Sequence, residues 1–303
     1  MHVFKSVLLG TSAAIPLPER MLPGLYVESY TGEKVLFDAG EGTQLQLRRA
    51  GLNPNRIDAI FVTHLHGDHI FGLPGLLQYM SLTGRTRSLI IAGPRGLEDF
   101  ILSSFKATRF TPRYPLYYAE VEGWGRARLG SVIIEWFPVC HTVESYGYKV
   151  IHRKRAKLSR EKLAEKGILG SPITRRLIEE GAVEVDGRII RLEEVVEEGP
   201  QDYCLVYTGD TAPCGSVVEE SRGCDILFHE ATFTKEYRYE AWEYGHSTAL
   251  DAAIAADAAG VGRLVLFHFS TRYKEDYTPL LREALEVFPH TLLGEDLRRY
   301  TVP

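Results

Sequence analysis

Apolar residues along the chain fall in short runs that stop at polar, glycine- or histidine-bearing segments, and these runs alternate with stretches of helical period. Lys5 to Leu9 reads as a first strand, followed by a loop from Thr11 to Pro23 whose prolines at 16, 18 and 23 deny it regular structure. Gly24 to Tyr30 and Lys34 to Asp38 read as a hairpin around Thr31-Gly32-Glu33. Gly40-Glu41-Gly42-Thr43 then opens a helix with Leu45, Leu47 and Ala50 on or near its apolar side. Further strands are expected at Ile57 to Val62, Ser88 to Ala92, Leu116 to Val121 and Val132 to Phe137, and helices at Gly72 to Leu82 and Leu97 to Phe105. Beyond residue 200 the strands are Tyr203 to Tyr207, Asp225 to Phe228 and Leu264 to Phe267. Ser247 or Thr248 caps the Ala-rich helix Ala249 to Ala259, and Glu275 to Phe288 closes the chain as an amphipathic helix. Strands alternating with helices over the whole length indicate an α/β layered domain without solenoid repeats.

Residues 149–199 interrupt this alternation. A basic run of Lys149, Arg153, Lys154, Arg155, Lys157 and Arg160 precedes an amphipathic stretch, the turn Gly170-Ser171-Pro172, the pair Arg175-Arg176 and the acidic run Glu193 to Glu198. The segment reads as an insertion projecting from a single domain spanning 1–303. Its basic run is as consistent with a solvated face as with phosphate contact.

Composition changes this picture little. The 303 residues, 45% hydrophobic and 25% charged, suit one large globular domain. No apolar run approaches the roughly 20 residues that cross a bilayer, so a soluble cytoplasmic protein without membrane contact is expected. A net charge of -5 argues against indiscriminate coating of nucleic acid but leaves room for a local basic patch. Cys140, Cys204, Cys214 and Cys224 form no C-x-x-C pair, and buried reduced thiols are the favoured reading.

The candidate chemistry begins at Thr63-His64-Leu65-His66-Gly67-Asp68-His69, directly behind the run ending at Val62. A strand that turns over at Gly67 can aim His64 and His66 at one ion and Asp68 and His69 at a second. Imidazole with carboxylate suits zinc, with manganese and iron as competitors. His64, His66, His69, His141, His229, His246 and His268 all stand at or near the ends of expected elements or in a helix-capping loop. Ligand-binding residues collect where strands of layered α/β proteins end. His64, His66 and His141 are therefore expected on one metal and Asp68, His69 and His268 on the other, with Asp210 bridging the pair. Asp38 reads as an acceptor for a ligand histidine, and His229 as a supporting or structural residue. Tyr146, Tyr148, Trp242 and Tyr244 read as core or interface rather than as surfaces for stacking bases.

In this order His64-x-His66-x-Asp68-His69, His141, Asp210 and His268 resemble the metallo-β-lactamase superfamily. Phe37-Asp38-Ala39-Gly40-Glu41-Gly42-Thr43-Gln44, Gly93-Pro94-Arg95-Gly96-Leu97, His229-Glu230-Ala231-Thr232, His246-Ser247-Thr248 and Ser270-Thr271-Arg272-Tyr273 narrow the resemblance to ribonuclease Z, which trims the 3′ end of precursor tRNA. The likeness implies a four-layer αββα sandwich, two zinc ions that activate water, and an endoribonuclease leaving a 3′-hydroxyl on the tRNA and a 5′-phosphate on the trailer. It also implies that Asp68 handles the proton of that water, that His246 oriented by Glu230 protonates the leaving oxygen, and that 149–199 is an arm gripping tRNA within a homodimer. Arg20, Arg153, Lys154, Arg155, Lys157 and Arg272 are the expected substrate contacts. The alternatives are another binuclear hydrolase of the same fold, such as a thioester hydrolase or small phosphodiesterase, and an inactive RNA-binding subunit.

Overall fold

In the computed structural model, which describes residues 2–154, 157–198 and 201–303, the apolar runs become two seven-stranded sheets. The first carries, in spatial order, Arg299–Val302, Phe4–Gly10, Gly24–Ser29, Lys34–Phe37, Ala59–Phe61, Leu89–Gly93 and Leu116–Glu120. It is antiparallel through the hairpins at one edge and parallel from Lys34–Phe37 onward, where helices make the crossovers. The second runs Thr291–Leu293, Leu264–Phe267, Ile226–Glu230, Gln201–Tyr207, Tyr146–Lys154, Val132–Pro138 and Gly125–Leu129.

The central strands of each sheet are apolar on both faces because each sheet is covered twice. Helices Thr43–Arg49, Gly72–Leu82 and Leu97–Thr108 pack outside the first sheet, burying Leu47, Leu73, Leu76, Leu77 and Ile101. Gly215–Ser221, Ala249–Ala259 and Thr278–Leu285 do the same for the second. Aromatic side chains fill the space between the sheets: Phe37 lies 5.4 Å from Tyr148 and 6.0 Å from Tyr207 between ring centres. The result is the αββα sandwich of the metallo-β-lactamase fold. Among the described residues no helix is long and apolar enough to cross a membrane.

Several local expectations are corrected. The first helix buries Thr43, Gln46 and Leu47, whereas Leu45 is exposed; Gln46 Nε2 faces inward because it donates to Leu9 O at 2.6 Å. The strand Ile226–Glu230 includes His229 and Glu230, which carries both further inward than a strand-end loop would. Tyr146–Lys154 is a core strand entering the stretch read as an insertion, and Gly125–Leu129 is a strand without a clear apolar signal. Cys204 and Cys224 form a disulfide, since the neighbouring parallel strands bring their Cα atoms to 5.0 Å. Cys140 and Cys214 are free thiols.

Residues 152–203 form a compact unit distinct from the unit made of 1–151 and 204–303. This smaller unit holds helices Arg160–Glu165, Ile173–Glu180 and Leu192–Val195 and the hairpin Ala182–Val185 with Arg188–Arg191. Its buried core is Leu163, Ile168, Leu177, Val183, Ile190 and Val195. So small a core gives little stability in reserve. Replacing the fully buried Leu177 with Ala costs roughly 2–5 kcal/mol, enough to open a unit of this size. In Leu177→Ala, native-state hydrogen exchange is expected to accelerate across 152–203 while amides of Ile226–Glu230 and Leu264–Phe267 keep their protection; uniform acceleration would contradict separate units.

Candidate metal centre

The donor cluster is assembled at the carboxyl ends of strands from both sheets. Ala59–Phe61 runs out through Thr63 and His64, and a short helix, Gly67–Ile70, presents Asp68 and His69 with His66 at its N-cap position. Gly67 thus begins a helix, where a plain turn had been expected. Asp38 and His268 follow strands Lys34–Phe37 and Leu264–Phe267 with backbone φ of 56° and 60°, a region side chains other than Gly rarely occupy. Gly209, with φ of 61°, leads into Asp210, and a Cβ there would lie 2.7 Å from Thr63 Cβ. That approach sets Asp210 against the His64 loop.

One ring nitrogen or carboxylate oxygen from each of His64, His66, His141 and Asp210 lies within 4.8 Å of the others, and the same holds for Asp68, His69, Asp210 and His268. Asp210 is common to both groups. Its Oδ1 lies 3.3 Å from His69 Nε2, and its Oδ2 lies 3.3 Å from His268 Nε2 and 3.7 Å from His64 Nε2. Asp68 Oδ2 lies 3.4 Å from His268 Nε2 and 3.8 Å from His69 Nε2.

The far nitrogens are anchored. His69 Nδ1 meets Asp38 Oδ2 at 2.7 Å, His141 Nδ1 meets Gly245 O at 2.7 Å, His268 Nδ1 meets Thr232 Oγ1 at 2.9 Å, and His64 Nδ1 meets Thr63 Oγ1 at 3.0 Å. Such contacts fix each ring and turn its Nε2 toward the centre. His64 Nε2, His69 Nε2 and Asp210 Oδ1 are buried there without a hydrogen bond. His141 Nε2 also faces His66 Nδ1 at 3.1 Å, an arrangement two unprotonated nitrogens do not favour. Buried polar atoms left unsatisfied are costly, and a cation between these donors would satisfy them together. The donor set fits divalent metal ions.

The electrostatics agree. Burial, then the neighbouring His69, pushes His64 well below its ordinary value, and burial likewise lowers His66 and His141; the neutral imidazole is the ligand form. For Asp210 burial opposes ionisation, but the adjacent His268 and His69 outweigh it and hold the carboxylate charged. For His69 burial is outweighed by Asp210 and Asp38, which raise it, so metal binding there displaces a proton.

Beside the donors stands a second pair. Glu230 is fully buried; its Oε1 accepts from His246 Nδ1 at 2.8 Å and Thr211 N at 3.0 Å, and its Oε2 accepts from Thr232 Oγ1 at 2.8 Å and Thr232 N at 3.1 Å. Burial disfavours the charged imidazolium of His246, but Glu230 overrides it and lifts the group to about 9. His246 stacks on His268 at 5.3 Å and lines a cleft of about 390 Å³ together with His66, Asp68, His141, Asp210 and His268. His229 is buried elsewhere, with Nδ1 on the Glu230 carbonyl at 2.7 Å, and takes no part in a donor group. Sequence reasoning missed Thr63, Thr232 and the Gly245 carbonyl. Only their adjacency to His64, Glu230 and His246 could have marked them.

The expected substrate contacts are more dispersed. Arg20 is turned inward: Nη1 donates to Thr11 Oγ1 at 2.6 Å and Gly294 O at 2.8 Å, and the guanidinium lies 4.1 Å from the Tyr277 ring centre. These contacts tie Arg20 to the Thr11–Pro23 loop and the Gly294 turn. Arg272 pairs with Glu240 at 3.0 Å and lies over Tyr237 at 4.0 Å, and it does not line the cleft. In the smaller unit Arg153 grips Asp202 through two bonds of 2.7 and 2.6 Å, and Lys157 meets Glu197 at 2.8 Å. Exposed pairs of this kind contribute about 0–1 kcal/mol. Arg155 and the Lys154 side chain lie outside the described residues.

Asp38 accepts from His69 without touching the cleft, so Asp38→Ala is expected to weaken metal binding by roughly 10–100-fold, as loss of a ligand's orienting partner does. Calorimetric zinc titration of the two proteins checks it.

Comparison with known proteins accords with this geometry. The sequence profile of the Metallo-beta-lactamase superfamily matches residues 25–228. A protein from Ignicoccus hospitalis named Ribonuclease Z is 46% identical over 296 residues, covering 98% of this chain and 97% of its own. One of the same name from Aeropyrum pernix is 38% identical over 95% of each chain. The crystal structure of human tRNase Z, short form, superposes with a TM-score of 0.70 at 27% identity, covering 99% of each chain. The chain belongs to the ribonuclease Z family of the metallo-β-lactamase superfamily.

Proposed function

We propose that the protein is a metal-dependent endoribonuclease that processes the 3′ end of precursor tRNA, cutting at the 3′ side of the acceptor stem. The observation that carries this reading is the Glu230–His246 pair at 2.8 Å, set against a seven-residue donor cluster and open to the same cleft. A carboxylate-imidazole pair is what a poor leaving oxygen needs beside a metal site. Family membership identifies the RNA as precursor tRNA.

Two zinc ions, or manganese or iron in their place, would be held by His64, His66 and His141 on one side and Asp68, His69 and His268 on the other, with Asp210 shared. When bound they supply Lewis acidity, lowering the pKa of water toward 7 and offsetting charge on the phosphate. The chain's own residues do the rest. Asp68 is held ionised: burial opposes this, but its hydrogen bond to His268 and the neighbouring His69 prevail. Ala14 N donates to its Oδ2 at 2.9 Å, which leaves Oδ1 to orient the attacking water and take its proton. His246 keeps a proton at neutral pH because its value stands near 9, and with Nδ1 on Glu230 its Nε2 delivers that proton to the departing 3′-oxygen. The products are a tRNA 3′-hydroxyl and a trailer 5′-phosphate. The unit 152–203 is the tRNA-gripping arm, and a homodimer lets the arm of one copy serve the other; deletion of the arm should abolish cutting of precursor tRNA while a small phosphodiester is still hydrolysed.

His246→Ala is expected to retain its metal and lose roughly 100-fold or more in precursor cleavage. Near-normal turnover in a metal-replete variant would refute the donor role. The proton on His246 can be followed separately in metal-free protein by NMR. There its folded value, raised above the ordinary 6.5, means the imidazolium persists up to about pH 9. In Glu230→Gln the largest raising partner is removed while burial remains and Asp210 still stands 4.0 Å away, so the midpoint is expected to fall well below that of the wild type.

A further inference from the structure

We propose that Tyr244 is the stacking surface for the nucleobase of the last nucleotide retained on the RNA, forming a base subsite beside the metal centre. The inference rests on the reading of the chain as an RNA phosphodiesterase and identifies what that site holds next to the scissile bond.

Tyr244 was expected to pack in a core or interface. It is 56% exposed, so it is no part of the core, and it forms part of the cleft wall with Phe233 and His246. Its place is fixed from both sides. Tyr244 N donates to Glu240 O at 3.1 Å and Gly245 N to Trp242 O at 3.1 Å, which ties it to the helix Arg238–Glu243. The Gly245 carbonyl accepts from His141 Nδ1 at 2.7 Å, and His246 N donates to Ala241 O at 2.7 Å. Gly245 has φ of 72°, and a Cβ there would stand 2.8 Å from His141 Nδ1. Only glycine allows the segment so close to a donor histidine, so the Tyr244 backbone cannot drift relative to the metal centre. An aromatic ring on a backbone held this firmly, with one face of a cleft to look into, is pre-organised for a planar partner.

The direction of bond cleavage says which base that is. Water adds its hydroxyl to phosphorus, the P–O3′ bond breaks, and the departing O3′ takes the proton from His246. The nucleoside that owns O3′ therefore lies against His246. Tyr244 precedes His246 by two residues and shares its wall, so the base of this nucleoside, rather than of the trailer, meets the ring. Ala14 N bonds Asp68, and the neighbouring Ile15, 57% exposed, lines the same cleft. Stacking suits a position that must accept any base, because every base offers a π face.

The test pairs enzyme and substrate changes. A precursor tRNA is prepared with either its normal nucleotide or an abasic residue immediately 5′ of the cut, and each is offered to the wild type, Tyr244→Ala and Tyr244→Phe. On the normal substrate Tyr244→Ala is expected to lose roughly ten-fold in kcat/KM, the effect of removing one aromatic-base stack, while Tyr244→Phe stays near the wild type. On the abasic substrate the wild type should fall to the level of Tyr244→Ala, and the variant should lose nothing further. The same ratio of wild type to Tyr244→Ala on both substrates, or no loss on either, overturns the subsite and leaves the nuclease reading standing. Failure of the wild type to cut the normal precursor at all overturns both.

Discussion

A carboxylate enclosed on every side must be saturated with donors, and Asp38 is the group on which this requirement falls most heavily. It is fully buried, and its oxygens accept from Thr63 N at 2.8 Å, Thr63 Oγ1 at 2.9 Å, His69 Nδ1 at 2.7 Å and Tyr207 OH at 3.1 Å. Those donors come from the loop after Ala59–Phe61, from the helix Gly67–Ile70 and from a strand of the opposite sheet. A buried charge missing one of them would cost several kcal/mol. The two sheets must therefore reach their final packing before Asp38 is satisfied. When they do, the orientation of His69 and the course of the His64–His69 loop are set as well. The left-handed backbone at Asp38 is the local strain that this arrangement imposes.

The same design repeats around the centre with different partners. A carbonyl holds His141, a threonine hydroxyl holds His268 and another holds His64, so each ring is aimed by a neighbouring polar group. Glu230 treats His246 in the same way and in addition changes its acidity. Thr232 joins these systems, giving its hydroxyl proton to Glu230 while accepting from His268. What results is a cluster poorly satisfied by itself: His64 Nε2, His69 Nε2 and Asp210 Oδ1 are buried without a hydrogen bond. Specific binding of cations is the natural way to relieve it, and local consistency is given up at the site where function needs it.

Charge follows a related logic at larger scale. The chain is acidic, at -5, and carboxylates line the cleft into which a polyanion must enter. Bound divalent ions invert the local field there. The basic residues Arg153 and Lys157 lie in the smaller unit, where they neutralise Asp202 and Glu197. Each unit keeps its own core.

The sequence by itself determined the layered α/β class and the helices Gly72–Leu82 and Ala249–Ala259 to the residue, because hydrophobic period is a local signal, and the clustering of His and Asp behind apolar runs singled out the seven residues that the fold draws into two adjoining groups. Its resemblance to ribonuclease Z pointed to the Glu230–His246 pair before any contact was known. What the tertiary structure alone decided depends on residues distant along the chain. The disulfide needs Cys204 on one strand beside Cys224 in the turn leading into the next, Arg20 is drawn inward by Thr11 and Gly294, and Gln46 is buried because Leu9 offers it a carbonyl. Tyr244 is the clearest case. Its composition is that of a core aromatic, but Gly245 and His141 hold it at the rim of the cleft, and no periodicity in the sequence encodes that contact.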